Sequence, residues 1–286
     1  MTRIVHLNGD WLPEAEAKVS VFDRGFLMGD GVYEVTSVLG GKLIDFEGHC
    51  RRLDRSLKEL GMPNPHTDDE WLALHHEIVR LNDIGDGSIY LQVTRGNGGD
   101  RDFMYPNPPV PQTVVMFTQS KPGLAQNPQA TTGLKVISLP EMRWHRRDIK
   151  TVQLLYPSMC KMAAKAAGAD DAWFVEDGAV TEGTSNNAWI VKDGKIITRQ
   201  LSNDLLHGIT RASVIRFAKE AQMEIIERPF TIEEAQAADE AFITSAGVFV
   251  MPVVEIDGKK LGDGKPGRVA TRLRELYLDE SLKAAM

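Results

Sequence analysis

The chain has 286 residues, a formal net charge of −7, and is 42% hydrophobic and 26% charged. That is the composition of an ordinary globular protein with room for one large or two moderate domains. The acidic balance argues against a general nucleic-acid surface, and the apolar runs fall far short of the ~20 residues needed to span a bilayer.

The N-terminal stretch MTRIVHLNGDW lacks the apolar core of a signal peptide. The two cysteines, Cys50 and Cys160, make neither a disulfide framework nor a metal cluster. A reduced cytoplasmic protein is the expectation. Along the chain, IVHL is a short strand that ends in an Asn8-Gly9 hairpin signal. After DRGFLMGDGVYEVTSVLGGKL, the spacing of Phe46, Cys50, Leu53, Leu57 and Leu60 predicts a helix from about Asp45 to Leu60, closed by Gly61. Thr67 and Glu70 form a capping box that opens a second helix. Its adjacent histidines, His75 and His76, point to different faces, and a solvated role is expected for them. SIYLQVTRG and TVVMFT then read as strands rich in β-branched and aromatic residues.

QSKPGLAQNPQ, residues 119–129, combines proline, glycine and polar residues and reads as a linker. Beyond it, DAWFVEDGAVTEG and NAWIVKDGKIITR are strand–turn–strand patterns with Asp-Gly turns. Helices follow at GITRASVIRFAKEAQ and TIEEAQAA, the second with Thr231 and Glu234 as a further capping box. The expected organisation is therefore a small α/β domain over 1–118, a linker over 119–129 and a larger domain over 130–286. The class is α/β in the broad sense that includes α+β, with a small-molecule site in the interdomain cleft.

GxGxxG and Walker motifs are absent, no metal-ligand spacing is convincing, and GTSNN lacks the glycine-flanked setting of a nucleophilic serine. A different set occurs in order: Lys150 leading into an apolar run, Glu182 in VTEGTSNN, Gly208 to Arg211 in HGITR, and Thr244 and Ser245 in FITSAG. Each piece alone has a bland reading, since Glu182 could be a turn carboxylate and GITR a plain helix start. Together they supply what pyridoxal phosphate requires: a Schiff-base lysine, an acid for the ring nitrogen, and amides with hydroxyls for the phosphate. A helix starting near Ile209 would aim free N–H groups and its dipole at that phosphate.

With DRGFLMGDGVYEV, DIKTVQLL, VTEGTSNN, GITRASV and VEIDGKKLGDGKPG all in order, the chain resembles the D-amino acid aminotransferases (D-alanine transaminases). These belong to the class IV pyridoxal-phosphate aminotransferases, or fold type IV, which also holds branched-chain aminotransferases and aminodeoxychorismate lyases. The resemblance implies a two-domain fold with pyridoxal 5'-phosphate in the interdomain cleft, the larger C-terminal domain binding the cofactor. It implies Lys150 as the Schiff-base lysine and proton carrier, and Glu182 as partner of the pyridine nitrogen. Arg52, Ile209, Thr210 and Ser245 would hold the phosphate. Ala246 stands where the family usually has threonine, so only its amide could serve. Leu206 would lie on the ring face, and Arg51 reads as a surface charge.

The family's substrate trap implies a homodimer with a shared active site, in which Tyr33 meets an RxH loop from the partner subunit. Here TRGNGGDRDFMYP has Arg101 in the arginine's place but Phe103 in the histidine's, and is one residue longer. A salt bridge of Arg101 with Asp100 or Asp102 is the competing reading of that arginine. The implied reaction moves the amino group of a D-alanine-like donor to a 2-oxo acid acceptor. Loss of the histidine favours some tolerance of (R)-amines, so an (R)-selective amine:pyruvate transaminase is the nearest alternative. A branched-chain L-aminotransferase, an aminodeoxychorismate-type lyase and a non-enzymatic cofactor-binding protein stand behind it. No nucleic-acid or membrane partner is implied.

Overall fold

The computed structural model describes residues 2–286. The chain divides into two compact units, and passes from the first to the second at Leu124–Ala125, inside the 119–129 stretch. The first unit also contains Ile149–Gln153 and Ala284–Met286, so the chain returns to it twice.

In the first unit, β1 (Ile4–Leu7) and β2 (Asp10–Pro13) form a hairpin. Asn8 and Gly9 take the positive φ values of 52° and 101° that such a turn requires. A short helix, α1 (Arg24–Met28), precedes β3 (Gly31–Leu39) and β4 (Lys42–Leu43). Helices α2 (Phe46–Glu59) and α3 (Asp68–Asn82) follow, then β5 (Gly87–Thr94) and β6 (Thr113–Ser120). The six strands form an antiparallel sheet in the order β2-β1-β6-β5-β3-β4.

The two-residue period of β3 sorts its side chains. Val32, Glu34, Thr36 and Val38 are buried, whereas Tyr33 and Val35 are half-buried on the other face. Val32 and Val38 join Cys50, Leu53 and Leu57 of α2 and Trp71 and Ile78 of α3 in one core. On the opposite face Tyr33, Tyr90 and Phe117 stack across three strands, with centroids 5.6 and 4.8 Å apart. The Thr67–Glu70 capping box is present in full. His75 departs from the solvated expectation: it is 2% exposed, lies edge-on to Phe46, and its Nδ1 is 2.7 Å from the Trp71 carbonyl. His76 faces solvent.

The second unit opens with α4 (Gln129–Thr132), β7 (Leu134–Pro140) and α5 (Leu155–Ala166). Then come β8 (Asp171–Glu176), β9 (Ala179–Gly183), β10 (Asn187–Lys192) and β11 (Lys195–Thr198). They are followed by α6 (Ile209–Glu220), β12 (Ile225–Glu227), α7 (Ile232–Gln236), β13 (Glu240–Ser245), β14 (Phe249–Ile256), β15 (Lys259–Lys260) and α8 (Arg268–Lys283). The sheet runs β12-β11-β10-β13-β14-β7-β8-β9, with β15 beside β14. It is mixed, because β11–β12, β14–β7 and β7–β8 pair in parallel. Asp177-Gly178 and Asp193-Gly194 make the two expected turns. At α7 only half of the expected capping box forms: Thr231 accepts from the Glu234 amide, while Arg228 takes the Glu234 carboxylate. No helix among the described residues is long and apolar enough to cross a membrane.

Candidate active site

Lys150 lies in a segment that continues the first unit's sheet by backbone hydrogen bonds. Tyr33 N donates to Lys150 O at 3.0 Å, and Val152 N donates to Gly31 O at 3.1 Å. Ile149 enters that unit's core, and Lys150 N approaches Ser56 Oγ at 3.4 Å. The Lys150 amine sits over the Tyr33 ring, 4.2 Å from its centroid, and pairs with no carboxylate among the described residues. An aromatic face can hold the amine without tying it up in an ion pair.

Ser56 belongs to the face of α2 that also carries His49 and Arg52, spaced by three and four residues. Arg52 meets Glu34 in a two-pronged pair, Nε to Oε1 at 2.8 Å and Nη2 to Oε2 at 2.7 Å. His49 Nδ1 reaches the same Oε2 at 2.7 Å. Burial pushes the Glu34 carboxyl up, but the Arg52 guanidinium and His49 more than reverse it and hold it well below the usual range. Glu34 thus fixes Arg52, a partnership the motif comparison did not name. Arg51 is exposed and pairs only with Glu47 among the described residues.

Arg101 and Phe103 lie on the connection between β5 and β6. Among the described residues Arg101 forms no salt bridge with Asp100 or Asp102, and its guanidinium lies 4.9 Å from the Phe103 ring centroid. Phe103 is 78% exposed.

The second unit holds the other group. Glu182, at the end of β9, is 3% exposed. Its Oε2 accepts from Leu206 N at 3.0 Å and Asn187 Nδ2 at 3.2 Å, and its Oε1 faces Arg143 Nη1 at 3.0 Å. Asn187 Nδ2 also donates to Leu206 O at 3.0 Å, tying the approach to α6 to the strand beside Glu182. Gly208 ends that approach, where an added Cβ would lie 2.0 Å from Asn187 Oδ1. Helix α6 starts there with no side-chain cap, and its first turn carries Ile209 and the buried Thr210. Open first-turn amides at the positive end of a helix suit a phosphate group. Helix α6 packs on β13, which ends at Ser245, with Ala246 next in the chain.

Arg143 escaped the sequence reading. Its guanidinium bridges Glu182 and Glu141, with Nη2 2.5 Å from Glu141 Oε2, and lies 4.6 Å from the Phe174 ring centroid. Arg147 Nη1 adds a contact to Glu141 at 3.1 Å. Burial pushes the Glu182 carboxyl above its ordinary range, while Arg143 and the Leu206 amide pull back. Burial also penalises Glu141, yet Arg143 brings its carboxyl below the usual range. The crowding of Glu141, Arg143, Arg146 and Arg147 just before Lys150 was a usable signal. His145, Glu176 and Asp204 also converge. Arg147 Nη2 stands among them, 2.8 Å from Glu176 and 3.3 Å from Asp204, and supplies the positive charge there.

The proposed residues therefore form two groups, one in each unit. Lys150, Tyr33 and Arg52 are in the first, with Arg101 and Phe103 on its loop; Glu182, Leu206, Ile209, Thr210, Ser245 and Ala246 are in the second. The donor set fits pyridoxal phosphate: an unpaired amine, a buried carboxylate and an uncapped helix start.

Residues 31–256 match the family model for amino-transferase class IV. The chain is 38% identical to a D-alanine aminotransferase of Bacillus licheniformis, covering 98% of this chain and 99% of the relative. It is 35% identical to one from Staphylococcus epidermidis, with 95% of each covered. Among solved structures, the branched-chain amino acid aminotransferase of T.th. with pyridoxamine 5'-phosphate superposes with a TM-score of 0.89 at 30% identity, covering 98% and 94%. The branched-chain aminotransferase from Thermoproteus uzoniensis with norvaline gives 0.87 at 27% identity, covering 99% and 96%. With the family matched over most of its length and near-complete relatives above 30% identity, the chain belongs to the class IV aminotransferases.

Proposed function

We propose that this enzyme uses pyridoxal 5'-phosphate to move the amino group of D-amino acids, D-alanine among them, to 2-oxo acids such as pyruvate or 2-oxoglutarate. The observation that carries the reading is the Lys150 amine resting on Tyr33 with no carboxylate partner among the described residues. The D-alanine aminotransferases at 38% and 35% identity support the choice of donor.

When bound, the cofactor supplies an aldehyde and a ring that accepts electrons from the substrate α-carbon. Lys150 Nζ anchors the cofactor and then carries the proton away from that carbon. Glu182 holds the pyridine nitrogen, and Arg143 fixes the carboxylate from its other side. Arg52, Ile209, Thr210, Ser245 and the Ala246 amide bind the phosphate, and Leu206 covers a ring face. Tyr33 and Arg101 receive the substrate carboxylate, and Phe103 adds apolar surface beside them. Arg101 serves the site of a second copy, so the working unit is a homodimer. The exposed Phe22, Phe26, Phe103, Met104 and Tyr105 of the first unit support a surface on each subunit against which the second copy packs. Two buried free thiols, Cys50 and Cys160, suit a reduced cytoplasmic setting.

Phe103 favours a second reading, in which (R)-amines without a carboxylate are also donors. A panel of D- and L-amino acids and both enantiomers of an arylalkylamine, each with pyruvate, decides between them. D-amino acids are expected to lead, with weaker (R)-amine turnover. Turnover led by L-leucine or L-valine, or pyruvate release without an acceptor, would overturn the proposal.

A further inference from the structure

The DRGFLMGD stretch before Tyr33 has no part in the chemistry above, yet its polar side chains are buried. Asp23 is 1% and Arg24 6% exposed. Asp23 accepts from Thr94 Oγ1 at 2.9 Å, Thr113 Oγ1 at 2.6 Å and Gly25 N at 2.8 Å, so it ties together both roots of the loop over 95–112. Gly25 is required by the same contact, since a Cβ there would lie 2.3 Å from Thr94 Cγ2. Arg24 N donates to Gly96 O at 2.9 Å.

The Arg24 side chain reaches the loop tip. Its Nη1 donates to Asp102 O at 2.7 Å and Met104 O at 3.2 Å, the carbonyls on either side of Phe103. Its Nε donates to Asp30 Oδ2 at 2.8 Å, where Arg95 Nε also arrives at 2.8 Å. Arg95 is braced by Leu60 O at 2.7 Å and stacks on Tyr105, 3.7 Å from the ring centroid. Phe103 and Met104 are 78% and 75% exposed, so apolar burial within the subunit does not anchor the tip. A long loop without secondary structure holds one pose only if specific bonds offset its entropy, and here two guanidiniums on one carboxylate provide them.

We propose that Arg24, set by Asp30 and Arg95, is a positioning residue for substrate recognition. It pins residues 102–104 so that Arg101, fixed at its backbone, presents its guanidinium to the substrate carboxylate. This rests on the reading of Arg101 given above. Lysine in place of Arg24 keeps the charge, but one ammonium cannot reproduce the planar fork that serves Asp30 and two carbonyls together.

The test uses holoenzyme and two readouts. In timed trypsin digestion, Arg24→Lys should accelerate cleavage after Arg101 about tenfold, the size of one lost charged hydrogen bond. Tyr105→Leu should also accelerate it, and Tyr105→Phe, which keeps the ring, should be cut like the parent. In single-turnover half-reactions, Arg24→Lys should raise the D-alanine concentration at half-saturation by a similar factor, with little change in limiting rate or in (R)-amine saturation. Unchanged cleavage overturns the proposal, and so does faster cleavage with unchanged D-alanine saturation. Arg101→Ala run in parallel identifies the failing step. If it too leaves D-alanine unaffected, the reading of Arg101 has failed; if it alone impairs D-alanine, the clamp has failed.

Discussion

Replacing Arg143 with methionine would remove the cation that Glu141 and Glu182 share. The side chains of Glu141, Glu182 and Arg143 are 0%, 4% and 15% exposed, so water cannot take its place. Breaking a buried ion pair by deleting one partner typically costs about 3–5 kcal/mol, because the other charge is left uncompensated. Glu141 would retain Arg147, and Glu182 would retain the Leu206 amide and Asn187. The loss should therefore fall at the low end, about 3 kcal/mol at pH 7. Without the cation both folded-state carboxyls shift up, so protonation relieves the penalty and the deficit shrinks as pH falls from 7 toward 5. Urea unfolding of cofactor-free protein measures this without ligand linkage, and the buried Trp173 and Trp189 report on the second unit. A loss below about 1 kcal/mol at pH 7, the range of an exposed pair, would refute the reasoning. A deficit that grows on acidification would refute it as well.

Three further outcomes are expected. Burial lowers the His75 pKa to about 4 despite the Trp71 carbonyl. Its stabilising contribution is therefore full above the ordinary histidine value and lost as pH falls from about 6.5 toward 4, about 2 kcal/mol between pH 7 and 5. His75→Leu should remove that part of the urea-measured slope, and an unaltered slope would count against the burial argument. Borohydride reduction of holoenzyme followed by peptide mapping should place the cofactor adduct on Lys150, and Lys150→Ala should carry none; an adduct on another lysine excludes the assignment. Mixing Lys150→Ala with Arg101→Ala subunits should restore about a quarter of parental D-alanine conversion, since half the dimers are mixed and each has one intact site. No recovery in proven mixed dimers would mean that Arg101 does not act across subunits.

The amino-acid sequence alone determined the local elements and the order of the chemical motifs. Asn8-Gly9, the Asp-Gly turns and the Thr67–Glu70 box are settled within four residues, since the bonds they make are between near neighbours. Lys150, Glu182 and the start of α6 could be picked out because their residue types carry chemistry wherever the fold places them. Tertiary structure decided their partners. Glu34 and Arg52 are 18 residues apart, and they meet because β3 alternates its faces while α2 repeats every turn. Arg143, in the segment after β7, meets Glu182 on β9, and His75 is buried where its neighbour is not. The crowded charges before Lys150 mark the region in the sequence, but not which arginine meets which carboxylate, and nothing there ranks one histidine over the other. Arg24 and Arg95 look like ordinary arginines until folding brings both to the single carboxylate of Asp30, with the Tyr105 ring against them. Side-chain ion pairs are chosen by distance in space and by the cost of leaving a charge buried without a partner, and neither quantity exists before the chain has packed.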